Sequence, residues 1–201
     1  MGAQHAAALG TVMTPYMEAY AERMMQELQR RGQVITDSAA VASQLEPDEV
    51  IERLLTTDGL DSLVMRVLDA AARTDSMRKL RMLGAILGQA ISNPYRPLDE
   101  DLLIVAALDD LEPAHLRVLE ALDEHGGLSA EGLPENAVPA SLDHAVPDLT
   151  VVGRQAGIGG LLRHGLAVQT SPYGGFGYKI TEFGRAMLEV MRLPVADRDL
   201  A

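Results

Sequence analysis

The segment 160–191 constrains the fold of this chain more than any other stretch. It reads GLLRHGLAVQTSPYGGFGYKITEFGRAMLEVM. AVQTS and YKITE alternate in polarity and are separated by PYGGFG, whose glycines supply the positive φ angles that a β-hairpin needs. Thr181 then predicts the N-cap of a closing helix. The apolar side of that helix is formed by Phe183, Met187, Leu188 and Met191.

The residues before this hairpin predict further helices. Pro113 starts one, with Leu116, Leu119 and Leu122 facing inward and Gly126 and Gly127 at its end. The interval 127–148 is rich in Pro, Gly, Ser and Asn, and we expect a short helix within 140–145. Another helix is predicted over Leu149–His164.

This order of elements, over residues 112–193, resembles a winged helix-turn-helix domain with a wing of the MarR and ArsR type. The resemblance rests on L-x-x-x-G-L, which ends the recognition helix at Leu166, and on T-x-x-G, which opens the next helix at Thr181. It implies a first helix over Pro113–Glu124 and a second inside 138–148. It further implies a recognition helix over Thr150–His164 and a wing tip over Pro172–Gly177.

In this family the third helix enters the major groove and the wing flanks the DNA. The resemblance therefore implies contacts to duplex DNA from Arg154, Gln155, Arg163 and His164 on the helix, with Tyr173 and Lys179 reaching the backbone from the wing. A homodimer would add these contacts over two half-sites. We expect binding to be tight only at a specific operator and to weaken steeply with salt.

Two features favour a second interpretation, a non-enzymatic adaptor or phage-defence-related module that uses the same fold to bind protein. The predicted recognition helix holds Gly153, Gly157, Gly159 and Gly160, which cost about 3–4 kcal/mol against alanine and predict a kink or break. The net charge is −12, with 17 acids against 10 bases in residues 1–111 and 12 against 7 in 112–201. Such a balance argues against non-specific binding to nucleic acid.

The first part of the chain predicts helices only. The segment Pro15–Arg31 forms one, with Gly32 as its stop. Its narrow apolar stripe consists of Met17, Tyr20, Met24 and Leu28. Such a stripe packs on a partner chain or on its own domain, and both alternatives are open.

Four more helices are predicted before residue 112. One runs from Pro47 to Leu55, and a second is capped by Asp58 with an apolar face of Leu60, Leu63, Val64, Val67, Leu68 and Ala71. Asp75 or Ser76 starts the next, with Leu80, Leu83, Leu87 and Ile91 on its apolar face; its Gly84 and Gly88 indicate close approach of a neighbouring helix. PLDEDLL opens the last, which ends near Leu111. The sequence thus predicts a mainly α protein with a small β-hairpin: a helical bundle over 1–111, which is a candidate dimerisation region, and a winged-helix-like domain over 112–201.

Composition excludes several classes of function. The chain has no Cys, so disulfides, thiolate metal sites and cysteine nucleophiles are absent. No H-E-x-x-H or P-loop pattern occurs, and Asp143 and His144, with Asp123 and His125, are better explained as solvated side chains than as metal ligands. The longest strongly apolar run, Leu102–Leu108, is too short to span a bilayer. We therefore expect a cytoplasmic protein that is not an enzyme and binds no cofactor, metal or membrane.

Overall fold

The computed structural model describes residues 2–93, 95, 97–126, 128–129, 142–170 and 177–193, with side chains described from residue 17 onward except at 128 and 129. The described chain is mainly helical with one small antiparallel sheet, which confirms the predicted fold class. It divides between Pro94 and Tyr95 into two compact units. The helix that begins with the acidic turn at Asp99 therefore belongs to the C-terminal unit. The sequence instead predicts a boundary between residues 111 and 112, which includes that helix in the N-terminal bundle.

The described residues of the N-terminal unit form four helices. They are α1 (Gly2–Ser43), α2 (Pro47–Thr56), α3 (Asp61–Arg73) and α4 (Met77–Ser92). The prediction that Gly32 ends the first helix is wrong, because α1 continues for eleven more residues. A helical glycine costs only about 1 kcal/mol. Burial of Ile35, Ala39 and Ala40 after that glycine offsets this cost.

The two glycines of α4 allow it to pack closely on α1. A Cβ added at Gly84 would lie 2.7 Å from Ser38 Cβ, and one at Gly88 would lie 2.8 Å from Ala42 Cβ. Both separations are shorter than ordinary van der Waals contact, so only glycine fits at these positions. The predicted close approach of a neighbouring helix is confirmed, and that neighbour is α1.

The remaining helices of this unit largely follow the predicted boundaries. The apolar face of α4 is buried as predicted, and the Ser76 hydroxyl caps α4 by accepting from Lys79 N at 3.4 Å. Asp58 is not the cap of α3, because the helix starts three residues later, after buried Leu60. Leu68 was predicted to face inward, but its side chain is 49% exposed.

The C-terminal unit has five helices and three strands in its described part. They are α5 (Asp99–Asp110), α6 (Pro113–Glu124), β1 (Leu128–Ser129), α7 (Leu142–Ala145), α8 (Val151–Arg163), β2 (Ala167–Thr170), β3 (Gly177–Ile180) and α9 (Glu182–Arg192). The strands pair in the order β1-β3-β2, and both pairings are antiparallel. The predicted hairpin is β2–β3, with Thr170 opposite Gly177 at the end next to the turn. Of the predicted wing tip, Pro172–Gly177, residues 172–176 lie outside the described residues and Gly177 begins β3.

The glycine-rich helix α8 is one continuous helix rather than a kinked or broken one. Two of its four glycines are packing positions against α6: a Cβ at Gly157 would lie 2.8 Å from Val118 Cγ2, and a Cβ at Gly160 would collide with the His115 imidazole. The free energy gained from this close contact offsets the helix-propensity cost that the sequence alone indicates.

Thr181 joins three elements of the C-terminal unit. Its hydroxyl accepts from Gly184 N at 3.0 Å, which confirms the predicted N-cap of α9. The same hydroxyl donates to Gly165 O at 2.7 Å, and Thr181 N donates to Leu166 O at 3.1 Å. The base of the hairpin is therefore held against the turn that follows α8.

Among the described residues, no helix combines the length and the apolar content needed to cross a bilayer.

Candidate nucleic-acid interface

Helix α8 has a buried face and an exposed face, and the two differ sharply in chemistry. The buried face comprises Arg154, Gly157, Ile158, Gly160 and Leu161. The exposed face comprises Val151, Val152, Gln155, Ala156, Gly159 and Arg163. Four of these six residues, Val151, Val152, Ala156 and Gly159, have small apolar side chains or none. Arg163 is the one charged residue of this exposed face.

Arg154 belongs to the buried face, although the sequence suggested that it contacts DNA. Its side chain is only 10% exposed. The guanidinium donates to Leu149 O at 2.7 Å and forms an ion pair with Asp143. Arg154 therefore joins α8 to the segment before it, and its charge is already neutralised within the domain. This geometry removes Arg154 from the set of residues that can reach a phosphate.

Gln155 and Arg163 both lie on the exposed face. They are eight residues apart, about 12 Å along the helix. Gln155 is flanked by exposed Val152, which has 74% of its surface accessible. An amide next to a branched apolar side chain can read both hydrogen-bonding and methyl groups on base edges.

His164 is turned inward at the C-terminal end of α8. Its side chain is 17% exposed, and Nε2 lies 3.4 Å from Asp110 Oδ2 of α5. Its backbone N–H donates to Gly160 O and so caps the helix. The structure thus gives His164 a packing role between α5 and α8, and leaves little of its imidazole accessible.

The hairpin contributes a second exposed surface. Lys179 on β3 is exposed and stands opposite Val168 on β2, so the two side chains lie on one face of the hairpin. Val168 is 48% exposed. Tyr173, the other wing residue suggested by the sequence, lies outside the described residues. Lys179 is therefore the cation that the described hairpin offers to a partner.

This part of the protein contains the longest stretch of the chain without an acidic residue. Residues 149–181 contain no Asp or Glu, although the chain holds 29 acids in 201 residues. This segment includes α8, β2 and β3. The net charge of residues 112–201 does not show this gap, because acids on both sides of it dominate the total. The exposed face of α8 and the hairpin thus carry cations without any carboxylate of their own.

His115, in the first turn of α6, packs against the C-terminal part of α8 at Gly160. Its Nδ1 accepts from Glu112 N at 2.7 Å, which closes a capping box at the N-terminus of α6. Partial burial lowers the pKa of His115, and the nearby Arg163 and His164 lower it further, against the opposing effect of Glu112. The imidazole is therefore kept neutral where it packs against Gly160.

The described residues contain no group of three or more His, Asp or Glu side chains placed to hold a metal ion. Of the side chains considered as ligands from the sequence, Asp143 pairs with Arg154 and Asp123 pairs with Arg192 at 2.7 Å. On α8 and the described part of the hairpin, the exposed groups are the amides of Gln155 and Gln169, the cations of Arg163 and Lys179, and several small apolar groups.

Comparison of the chain with protein-family models, with curated proteins and with solved structures found no match.

Proposed function

We propose that this chain is a cytoplasmic transcriptional regulator whose C-terminal unit is a winged helix-turn-helix domain that binds duplex DNA. In this proposal α8 enters the major groove, and the β2–β3 hairpin lies against the sugar-phosphate backbone. The order α6, β1, α7, α8, β2, β3, α9 supports it, since the hairpin follows the third helix of the domain directly.

The observation that carries the proposal is the absence of acidic residues over 149–181 in a chain of net charge −12. A surface that approaches phosphates must avoid carboxylates, because each one would repel the backbone. The remaining surface of the protein has no such requirement. The gap in acidic residues coincides with the helix and hairpin that the fold would present to DNA.

Each exposed side chain has a role that its chemistry allows. Gln155 suits a bidentate contact to adenine, and Val152 and Ala156 suit contact with a thymine methyl group. Arg163 and Lys179 suit phosphate contacts, which position the domain without reading sequence. With these two described cations per subunit, affinity rests on few ion contacts, so we expect a modest salt dependence rather than the steep one that the sequence suggested.

The test is DNA binding measured against salt concentration. An operator is first selected from genomic fragments, and its affinity is then measured for the wild type and for an Arg163→Ala plus Lys179→Ala variant. Each lost phosphate contact lowers the slope of log K against log salt by about 0.9, so the double variant is expected to lose about 2 in slope for each bound subunit. The matched control is Arg192→Ala, which removes a cation on α9 that is paired with Asp123.

Two results would contradict the proposal. One is that no fragment binds above the non-specific level. The other is that the double variant binds the selected operator with the affinity and the salt slope of the wild type.

A second candidate function is a protein-interaction module on the same fold. The specific observation that favours it is the exposure of three branched apolar side chains, Val151, Val152 and Val168, on α8 and β2. Exposed apolar groups of this kind are common in protein interfaces. Capture from native lysate with and without nuclease separates the two candidates, because a protein partner stays bound after the nucleic acid is digested.

A further inference from the structure

The first half of α1 carries a row of exposed apolar side chains. Met17, Tyr20, Met24, Met25 and Leu28 are each between 44% and 58% exposed. They fall within twelve consecutive residues of one helix. Together they expose on the order of 500 Å² of apolar surface, which is near the upper end for the largest patch on a monomeric protein.

This row continues a face that is buried further along the same helix. Leu28 and Ile35 are seven residues apart, about two helical turns, and Ile35 is only 5% exposed because it packs under α4. Helices α3 and α4 cover this face of α1 only as far as Arg30 and Arg31. Arg30 Nη1 donates to Met77 Sδ at 3.1 Å, where α4 begins, and Arg31 Nη1 donates to the carbonyls of Ala71 and Ala72 at the end of α3.

We propose that a second copy of this chain covers the exposed row, by an antiparallel crossing of two α1 helices centred on Met24. This inference concerns the N-terminal unit and stands whether or not the C-terminal unit binds DNA. A two-fold axis through Met24 makes the contact isologous, so that every contact between two different residues occurs twice and only residues on the axis meet their own copy.

The spacing of the row is self-complementary about that axis. Tyr20 and Leu28 lie four residues on either side of Met24. In an antiparallel pair Tyr20 therefore packs against Leu28 of the partner subunit, and Met24 packs against Met24 of the partner subunit. Residues at this spacing form an i±4 ridge, and two such ridges interlock with the helices crossing at about 50°. The crossing directs the rest of each helix away from the other subunit.

The charges beside the row are complementary in the same orientation. Arg23 and Glu27 lie on one flank, and in this register Arg23 is about 3 Å along the helix axis from the level of Glu27 of the partner subunit, a distance that two long side chains can span. Symmetry repeats this contact, and Glu27 also pairs with Arg30 and Arg31 of its own helix at 2.7 and 2.9 Å. Among the described residues Arg23 has no ion pair. A parallel arrangement would not form this pair of contacts and would align the two helix dipoles.

The other possible occupants fit less well. Helices that lie on membranes carry mostly Lys and Arg on their polar face, whereas Glu18 and Glu22 lie on the face of α1 opposite this row. Each partner in a standard-size interface buries about 800 Å². The row supplies over half of that area as apolar surface alone, and the flanking charged side chains add to it, which is sufficient for a dimer of moderate affinity.

Sedimentation of the full chain tests the association. We expect a mass of twice 21.6 kDa at chain concentrations up to ~100 μM, and a return to 21.6 kDa in Met24→Glu. The matched control is Met65→Glu, which adds the same charge at an exposed methionine of α3 and is expected to remain dimeric. Circular dichroism verifies that both variants keep their helix content.

Cysteine cross-linking tests the orientation, because the natural chain contains no Cys. Met24→Cys is expected to form a disulfide dimer on mild oxidation. A mixture of Tyr20→Cys and Leu28→Cys is expected to give the mixed dimer, while Tyr20→Cys alone does not cross-link.

Three outcomes would overturn the proposal. These are a monomeric wild type at the highest concentration, a Met24→Glu variant that remains dimeric, and cross-linking of Tyr20→Cys to itself. Binding of the row to lipid vesicles or to another protein by a chain that does not self-associate would also overturn it.

Discussion

Replacing Gly88 by alanine should destabilise the N-terminal unit, even though alanine is the better helix former. A Cβ at this position would lie 2.5 Å from Ala39 O and 2.8 Å from Ala42 Cβ. Both neighbours belong to α1, and the closest is a backbone atom that cannot rotate away. The two helices must therefore separate by about 1 Å, which forfeits a quarter to a half of each dispersion contact along the seam.

The magnitude follows from two opposing terms. Inserting a methyl group into a close-packed interface costs about 1–3 kcal/mol. The gain in helix propensity from glycine to alanine offsets about 1 kcal/mol of that cost. We therefore expect Gly88→Ala to lower the free energy of unfolding by up to about 2 kcal/mol. For a domain of this size each 1 kcal/mol lowers Tm by about 4–8 °C.

Gly32→Ala is the matched control on the other helix of the same pair. No atom lies within 4 Å of the position that a Cβ would take at Gly32. Only the propensity term applies there, so Gly32→Ala should stabilise the unit by about 0.5–1 kcal/mol. Urea and thermal unfolding followed by circular dichroism measure both variants. If Gly88→Ala proved as stable as Gly32→Ala, the inferred close packing of α1 on α4 would be refuted.

Three further predictions concern the C-terminal unit. Burial lowers the pKa of His115 below its ordinary value near 6.5, so protonation favours the unfolded state. The contribution of neutral His115 to the free energy of unfolding is therefore fully present above that value and is lost as the pH falls. His115→Asn should reduce this loss in unfolding measurements between pH 7 and 5, and an unchanged pH profile would contradict the assignment. Thr181→Ala should cost about 1–2 kcal/mol in urea unfolding through its lost cap and its lost bond to Gly165 O, whereas Thr181→Ser should keep both. Arg154→Met should lower unfolding stability by about 1–3 kcal/mol, since it strands Asp143 and Leu149 O, without weakening DNA binding by the folded protein; a selective loss of binding would show that Arg154 contacts DNA.

The elements with strong local signals could be predicted from the sequence. Thr181 caps α9 and Ser76 caps α4, because capping depends on a hydroxyl and on backbone groups two or three residues away. The hairpin follows equally from alternation and glycine spacing. Interactions this local need no knowledge of the rest of the molecule.

The errors arise where a distant neighbour decides the outcome. Helix α8 is continuous because Val118 and His115 of α6 pack against its Gly157 and Gly160. A helix-propensity scale does not include the free energy of such a tertiary contact. Gly32 does not end α1 for the same reason, since α4 stabilises the turns that follow. The predicted exposure of Arg154 fails for a different reason. Its spacing of four to Ile158 and seven to Leu161 places it on the buried face, so helical periodicity already contained the signal.

The pairing of β1 with β3 has a consequence for the order of folding. The β2–β3 hairpin closes a short loop, whereas Leu128 meets Tyr178 across fifty intervening positions that include α7, α8 and β2. Loop-closure entropy grows with the logarithm of length, so the longer closure costs about 2 kcal/mol more. Strand β1 therefore joins a hairpin that has already formed. It contributes only two residues to the sheet, so the last strand to dock is also the first to detach in native-state hydrogen exchange.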